Sequence, residues 1–160
     1  RTVRLLQAAG VEAGLVEAGG DIRFWGAKPD GRNWRFGGQH PRQKDDLVVV
    51  DGVNIQALAT SGDYERVFEY DGRQYHHLLD PITGHPARRA VSATVWAETA
   101  MEADILATAA FVMGPGAAVE LIESMPETET LIFYMEADRL EQRVSSGLRG
   151  HIKTVQRSQE

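Results

Sequence analysis

The chain has 160 residues, and its hydrophobic fraction of 42% is sufficient for the core of one compact domain. Its 23 acidic and 17 basic side chains give a net charge of -6, which disfavours binding to nucleic acid or to an anionic membrane surface. The sequence contains no cysteine. Disulfides, thiolate metal sites and cysteine nucleophiles are therefore excluded, while the redox compartment stays undetermined.

The first part of the chain reads as a helix followed by strands. Apolar residues at near-helical spacing predict that the chain opens on the end of a helix, which stops at Gly10. A short apolar strand is expected over residues 14–22, broken by Gly19-Gly20-Asp21, and residues 24–26 continue it toward a turn at residues 29–31. A second strand at residues 34–38 is predicted to pair back on it as a hairpin.

The middle of the chain is rich in strand and turn signals. Asp51-Gly52 and Asp71-Gly72 are typical hairpin turns, and the second of these is the clearest turn signal in the sequence. They separate four predicted strands, at residues 47–50, 57–61, 66–70 and 74–79.

The last part of the chain is predicted to start with a strand at residues 90–97 that leads into a helix from Glu98 to Gly114. Met101, Ile105, Ala109 and Val112 are expected along one side of this helix. Further elements are predicted as a helix at 117–124, strands at 130–135 and 142–145, and a polar tail at 153–160. Many strands at short spacing favour an α+β fold with a mainly antiparallel sheet and packed helices.

Two glycine-containing segments are candidates for ligand binding. Small hydroxyl residues and a glycine cluster in Ala59-Thr60-Ser61-Gly62-Asp63-Tyr64, at the end of a predicted strand, where the main chain can approach a ligand closely. A capped turn explains the same residues. Gly19-Gly20-Asp21 is compatible with a phosphate-facing turn, and equally with an ordinary hairpin turn.

His77 is a candidate general base or phosphate contact. It lies on a predicted strand just before the sharp turn Asp80-Pro81-Ile82-Thr83-Gly84, which would fix the strand end in space. The alternative is a hydrogen-bonded histidine of the core or surface, and the neighbouring His76 and His85 show that residue type alone does not assign the role.

Asp104 and Thr108 form a candidate half-site for a hard cation. They lie four residues apart in a helical stretch, so both oxygens project from one face about one turn apart. Mg²⁺ suits such a site because it takes oxygen ligands and completes its shell with water and substrate phosphates. The alternative is an aspartate that stabilises the helix dipole and a threonine bonded to its own backbone.

These segments, in this order, resemble the ApbE family, the FAD:protein FMN transferases, and the resemblance extends from Val3 to about Ile152. It implies an ApbE-like (T-fold-like) architecture without its N-terminal half, with residues 1–152 as the C-terminal part of the domain. The matching stretches are residues 16–22 with Gly26, 34–41, 59–64, 77–84 and 102–109.

The resemblance implies a Mg²⁺-dependent enzyme that cleaves the diphosphate of FAD, attaches FMN to a threonine or serine of an acceptor protein, and releases AMP. It assigns the metal to Asp104 and Thr108, a catalytic role also to Asp104, and places His77 beside the flavin phosphate and the acceptor hydroxyl. Pocket-lining positions that bind the flavin nucleotide are expected at Gly20, Asp21, Ser61, Gly62 and Leu78.

Three other functions stay open at this point: an FAD pyrophosphatase that forms FMN and AMP, a non-catalytic flavin-binding module, and an inactive fragment. Family members carry an additional N-terminal half that supplies adenine contacts and another metal ligand. We therefore expect the rest of the same protein as a partner, and apolar surface left exposed without it would favour a homodimer. The resemblance also implies a lipid-anchored or soluble protein on the periplasmic side of the cell envelope.

Overall fold

The computed structural model describes residues 1–28, 30–32, 34–42, 46–51 and 55–156. The predicted turns at residues 29–31 and 51–52 include Pro29 and Gly52, which lie outside the described residues. None of the described helices has the length and hydropathy needed to cross a membrane. In chain order the elements are α1 Thr2–Ala8, β1 Gly14–Ala18, β2 Asp21–Trp25, β3 Arg35–Gln39, β4 Asp46–Asp51, β5 Ala57–Gly62, β6 Phe68–Tyr70, β7 Arg73–Tyr75, β8 Ser92–Ala97, α2 Ala100–Met113, α3 Pro115–Glu123, β9 Glu129–Glu136, β10 Arg139–Val144 and β11 Ile152–Gln156.

The main sheet has six strands in the order β1-β2-β5-β8-β9-β10, and every neighbouring pair is antiparallel. A second antiparallel sheet has the order β11-β4-β3. Alternate residues of a strand point to opposite faces, so the main sheet supplies two cores. Val95 and Ile132 pack against α2 and α3, whereas Trp96 and Leu131 pack against the second sheet. The predicted α+β fold with a mainly antiparallel sheet is confirmed.

Helix α2 has Thr99 as its N-cap, where Thr99 Oγ1 accepts from the main-chain N–H of Glu102 and the Thr99 hydroxyl donates to Glu102 Oε2. Its buried face is made of Ala103, Ala107, Ala110 and Phe111. Met101 and Ile105, which we predicted on one side with Ala109 and Val112, lie opposite this buried face and are 72% and 60% exposed. This helix is apolar around most of its circumference, so apolar periodicity did not identify the buried face.

The pairing predicted for the strand near residues 34–38 is wrong. Strand β3 does not return onto β2, because β2 already pairs with β1 on one side and with β5 on the other. It pairs with β4 in the second sheet instead. At the end of the chain, β11 reaches into the range predicted as a polar tail and pairs with β4; residues 157–160 of that range lie outside the described residues.

Strands β6 and β7 form a separate hairpin at the predicted Asp71-Gly72 turn. Both turn residues have positive φ angles, of 50° and 67°, as a type I′ turn requires. The rings of Phe68 and Tyr75 stack across the hairpin with their centroids 5.3 Å apart. Phe68 and Tyr70 are nevertheless 63% and 70% exposed, so this hairpin contributes little to either core.

The packing of α3 predicts that two adjacent side chains contribute differently to the free energy of unfolding. Ile122 is 1% exposed in the helix-side core, and its neighbour Leu121 is 37% exposed. We expect Ile122→Ala to lower the free energy of unfolding by roughly 2–5 kcal/mol, because it leaves a cavity in the core. Leu121→Ala is the matched control and should cost much less. Urea denaturation measures both, and equal losses for the two variants would contradict this packing.

Candidate functional site

A cavity of about 900 Å³ opens between the β1–β2 turn, the end of β5, residues 77–79 and helix α2, and we call it the site cavity. Its volume lies within the range of about 300–1,000 Å³ that is typical of ligand pockets. Its lining includes all the site residues predicted from the sequence, namely Gly20, Asp21, Ser61, Gly62, His77, Leu78, Asp104 and Thr108. Segments distant in sequence thus meet around one space.

The Gly19-Gly20 turn brings main chain to the rim of the site cavity. Both glycines have positive φ angles, of 70° and 102°, which disfavours other residues there. The Gly20 N–H donates to the Glu17 carboxylate at 2.7 Å, which closes the turn. Asp21 follows as the first residue of β2 and therefore faces the site cavity from its rim.

Two hydroxyl groups join β5 to helix α2 in the wall of the site cavity. Ser61 Oγ lies 3.1 Å from Thr108 Oγ1, which is hydrogen-bonding distance. Asp104 lies one turn before Thr108 on the same helix and also lines the site cavity. The end of β5 and one face of α2 therefore present their oxygen atoms to the same space.

The remainder of the Thr60–Tyr64 segment shapes the site cavity. A Cβ atom at Gly62 would lie 2.6 Å from the Tyr64 ring, so only glycine fits against this ring in its present position. Burial raises the pKa of the Tyr64 hydroxyl above its usual value. The Asp63 carboxylate forms a bidentate ion pair with the Arg42 guanidinium, at 2.9 and 2.5 Å, and it is not part of the cavity lining.

Asp21 carries an unfavourable negative charge. Its pKa is raised by burial, and in addition by the nearby carboxylates of Asp104 and Glu17. A cation bound between Asp21 and Asp104 would relieve this repulsion. The electrostatic environment of this side of the site cavity is therefore suited to a positive ion.

The donor atoms fit Mg²⁺ better than a metal that needs several protein ligands. Among residues 1–28, 30–32, 34–42, 46–51 and 55–156, no group of three or more His, Cys, Asp or Glu side chains is arranged to hold a metal. The lining of the site cavity includes the carboxylates of Asp21 and Asp104 and the hydroxyls of Ser61 and Thr108. Mg²⁺ commonly binds through one or two carboxylates and leaves its other positions to water and substrate phosphates.

His77 lies across the site cavity and is exposed. Its Nδ1 is 3.3 Å from the Glu65 carbonyl oxygen. A carbonyl oxygen only accepts hydrogen bonds, so Nδ1 must carry the ring proton in the neutral imidazole. This tautomer leaves the Nε2 lone pair to accept a proton from a bound molecule.

Glu65 and Arg66 also line the site cavity, although we did not select them from the sequence. The available signal was the Asp71-Gly72 turn, because a hairpin brings the residues before its first strand beside those after its second strand. The carbonyl contact between Glu65 and His77 is the closure of this hairpin at its base. Arg66 adds a positive charge to the rim of the site cavity.

The fold and the site cavity together define an α+β protein with a polar ligand-sized cavity, and sequence comparison places it in a family. Residues 1–132 match the ApbE family. The chain therefore belongs to the ApbE family.

Relatives with assigned names agree with this placement. The FAD:protein FMN transferase of Treponema pallidum is 38% identical over 146 residues, which cover 84% of this chain and 40% of the relative. The FAD:protein FMN transferase of Vibrio cholerae is 44% identical over 112 residues, which cover 68% of this chain and 33% of the relative. The chain thus spans well under half the length of these two relatives.

Solved structures show the same fold. The flavin transferase ApbE from Vibrio cholerae superposes with a TM-score of 0.77 at 33% identity, over 93% of this chain and 47% of the other. The ApbE protein from Thermotoga maritima superposes with a TM-score of 0.69 at 39% identity, over 87% of this chain and 44% of the other. The expected ApbE-like architecture is confirmed for the part of the fold that this chain spans.

The raised pKa of Asp21 predicts a pH-dependent stability difference. The folded protein binds the Asp21 proton more tightly than the unfolded chain, so this contribution to stability is present below about pH 4 and is lost as the pH rises through the raised pKa. We therefore expect Asp21→Asn to be more stable than wild type at pH 7 in the absence of metal, with the difference shrinking toward pH 4.

Urea denaturation at the two pH values, with EDTA present, measures this difference. Glu136→Gln replaces an exposed carboxylate on β9 and serves as the control that should show no such gain at pH 7. An Asp21→Asn protein that is less stable than wild type at pH 7 would contradict the repulsion inferred for the site cavity.

Proposed function

We propose that this chain carries the catalytic site of a Mg²⁺-dependent FAD:protein FMN transferase, which moves FMN from FAD to a threonine or serine of an acceptor protein and releases AMP. The observation that supports this most strongly is the site cavity itself. It sets the oxygen atoms of Asp21, Ser61, Asp104 and Thr108 on one side and the imidazole of His77 on the other. The names of the relatives supply the substrate class.

Asp104 and Thr108 would hold the metal, and Ser61 orients the Thr108 hydroxyl through their 3.1 Å contact. Asp21 faces the same position from β2. When bound, Mg²⁺ supplies positive charge that offsets the charge of the FAD diphosphate and of the departing AMP. The residues of α2 and β5 therefore act by placing the diphosphate where the acceptor oxygen can reach it.

His77 would act as the general base. Since its Nδ1 proton points to the Glu65 carbonyl, Nε2 can take the proton of the acceptor hydroxyl as the new oxygen–phosphorus bond forms. The bond that breaks joins the FMN phosphorus to the bridging oxygen of the diphosphate, and this oxygen leaves with AMP. Gly20, Gly62 and Leu78 line the same cavity, and Leu78 adds an apolar wall suited to the flavin nucleotide.

The proposal includes the part of the protein that the relatives have beyond the span of this chain. Helix α1 has no buried residue, and Leu5 is 62% exposed. An apolar helix face of this kind is suited to packing against further protein, and we assign it to the remainder of the same polypeptide, with a homodimer as the alternative. The envelope location implied by the family resemblance belongs to the same proposal.

Removing the proposed metal ligands should slow FMN transfer strongly. We expect Asp104→Ala and Thr108→Val in the full-length protein to lower kcat for FMN transfer by roughly 10²–10³-fold, because the charge of the diphosphate is no longer offset. Flavin fluorescence of the acceptor band in a denaturing gel measures transfer, with Mg²⁺ varied.

Glu120→Gln on the neighbouring helix α3 is the matched control, since it removes an exposed carboxylate away from the site cavity. Full activity of Asp104→Ala would reject the proposed site. A flavin-binding module without catalysis predicts no labelled acceptor for any of these proteins, the wild type included.

The proposed role of His77 predicts that its substitution also lowers the rate of FMN transfer. His77→Gln should lower kcat by about 10²–10⁴-fold, the usual contribution of a general base, while FAD binding measured by fluorescence quenching is retained. His85→Gln, at an exposed position on the same segment, should transfer FMN at the wild-type rate. Equal activity of the two variants would remove His77 from the mechanism.

A hydrolase is the second candidate, because His77 is exposed and water can reach it. The same residues would then activate water in place of a protein hydroxyl, and FAD would yield free FMN and AMP. Incubation of the full-length protein with FAD and Mg²⁺, with and without acceptor, distinguishes the two. A transferase labels the acceptor, whereas a hydrolase releases free FMN at the same rate in both samples.

A further inference from the structure

His76 is a buried histidine that the proposed mechanism does not use. It directly precedes His77 and is 8% exposed, whereas His77 faces the site cavity. The two side chains therefore leave the same segment in different directions. The contacts of His76 connect this segment to the rest of the site.

Two main-chain groups fix the protonation of the His76 ring. The Leu78 N–H donates to His76 Nδ1 at 3.3 Å, so Nδ1 carries no proton. The proton is therefore on Nε2, which donates to the Ala87 carbonyl oxygen at 3.0 Å. Burial lowers the pKa of His76, which agrees with a neutral ring.

The His76 ring packs against helix α2, which carries the proposed metal ligands. Its plane meets the Phe111 ring edge to face, at an angle of 87° with the centroids 5.5 Å apart. Phe111 is fully buried on α2, three residues after Thr108 and seven after Asp104, which places all three near one side of the helix.

The main chain of Leu78 is held from two directions. Its N–H donates to His76, and its carbonyl oxygen accepts from the Ala87 N–H at 2.9 Å. Leu78 is buried at 6% exposure, so an unpaired N–H there would be costly. His76 therefore satisfies this group while it contacts α2.

We propose that His76 is a positioning residue, which as a neutral imidazole sets the distance between the His77–Leu78 wall of the site cavity and the Asp104–Thr108 wall. It touches neither substrate nor metal. Its Nδ1 holds one wall through the Leu78 amide, and its ring contacts Phe111 on the helix that forms the other wall. This inference rests on the proposed function only where activity is the readout.

The tautomer of His76 can be tested by NMR, without an activity measurement. In the full-length protein with ¹⁵N-labelled histidine, two-dimensional NMR at pH 7.5 should show one ring with the proton on Nε2 and a bare Nδ1, and its signals should be missing from His76→Asn. A His76 ring protonated on Nδ1, or an exchanging mixture of both forms, would overturn the inference, because Leu78 would then have no acceptor.

Two variants separate the polar contact from the packing. His76→Phe keeps an aromatic ring against Phe111 but has no acceptor for Leu78, whereas the Oδ1 atom of His76→Asn can stand in for Nδ1. We expect His76→Phe to lower kcat for FMN transfer by about 10- to 100-fold, since small displacements of positioned groups have costs of this size. His76→Asn should retain most of the wild-type kcat, and the KM for FAD should change little in either variant.

His85→Phe is the control for an exposed histidine and should be fully active. A folded His76→Phe protein with the wild-type kcat would overturn the positioning role, and so would a His76→Asn protein as impaired as His76→Phe. Full activity of Asp104→Ala would instead reject the proposed function, and it would leave the tautomer result for His76 unaffected.

Discussion

The close contact between helix α2 and strand β5 is the constraint on which the site depends. Ala103, Ala107 and Ala110 form the helix surface against the sheet, and their exposure is at most 1%. Side chains this small allow the helix to lie near enough to β5 for the Thr108 hydroxyl to reach that of Ser61. A larger residue on this face would push the helix outward and separate the oxygens that face the site cavity.

Much of the fold could be predicted because it is encoded locally. The Asp71-Gly72 turn joins two strands that are adjacent in sequence, and its residue types were sufficient to identify the hairpin. The Gly19-Gly20 turn joins β1 to β2 in the same way, but its residues fitted a phosphate-facing turn and a hairpin turn equally. The partner of β3 could not be predicted in this way. Its choice depends on β5 occupying the second edge of β2, and β5 lies more than thirty residues further along the chain than β2.

The same distinction applies to the site. Sequence identified Ser61 and Thr108 as separate candidates, and the family resemblance assigned both to one site. Their contact is between residues 47 positions apart, so it depends on the register of β5 against β8 and on the face that α2 buries. The periodicity of α2 did not identify the buried face, because alanine and the larger apolar residues both occur around the helix. Local patterns therefore found the residues but not the geometry.

The hairpin of β6 and β7 ties the order of His77 to a small and exposed unit. Its two strands have three residues each and pair only with one another among the described strands, and such a unit has little stability by itself. The Glu65 carbonyl that fixes the His77 tautomer lies at the base of this hairpin. Local unfolding of these few residues would release the imidazole while the two cores stay intact. The orientation of the His77 imidazole, the proposed general base, therefore depends on a segment that can unfold independently of the rest of the fold.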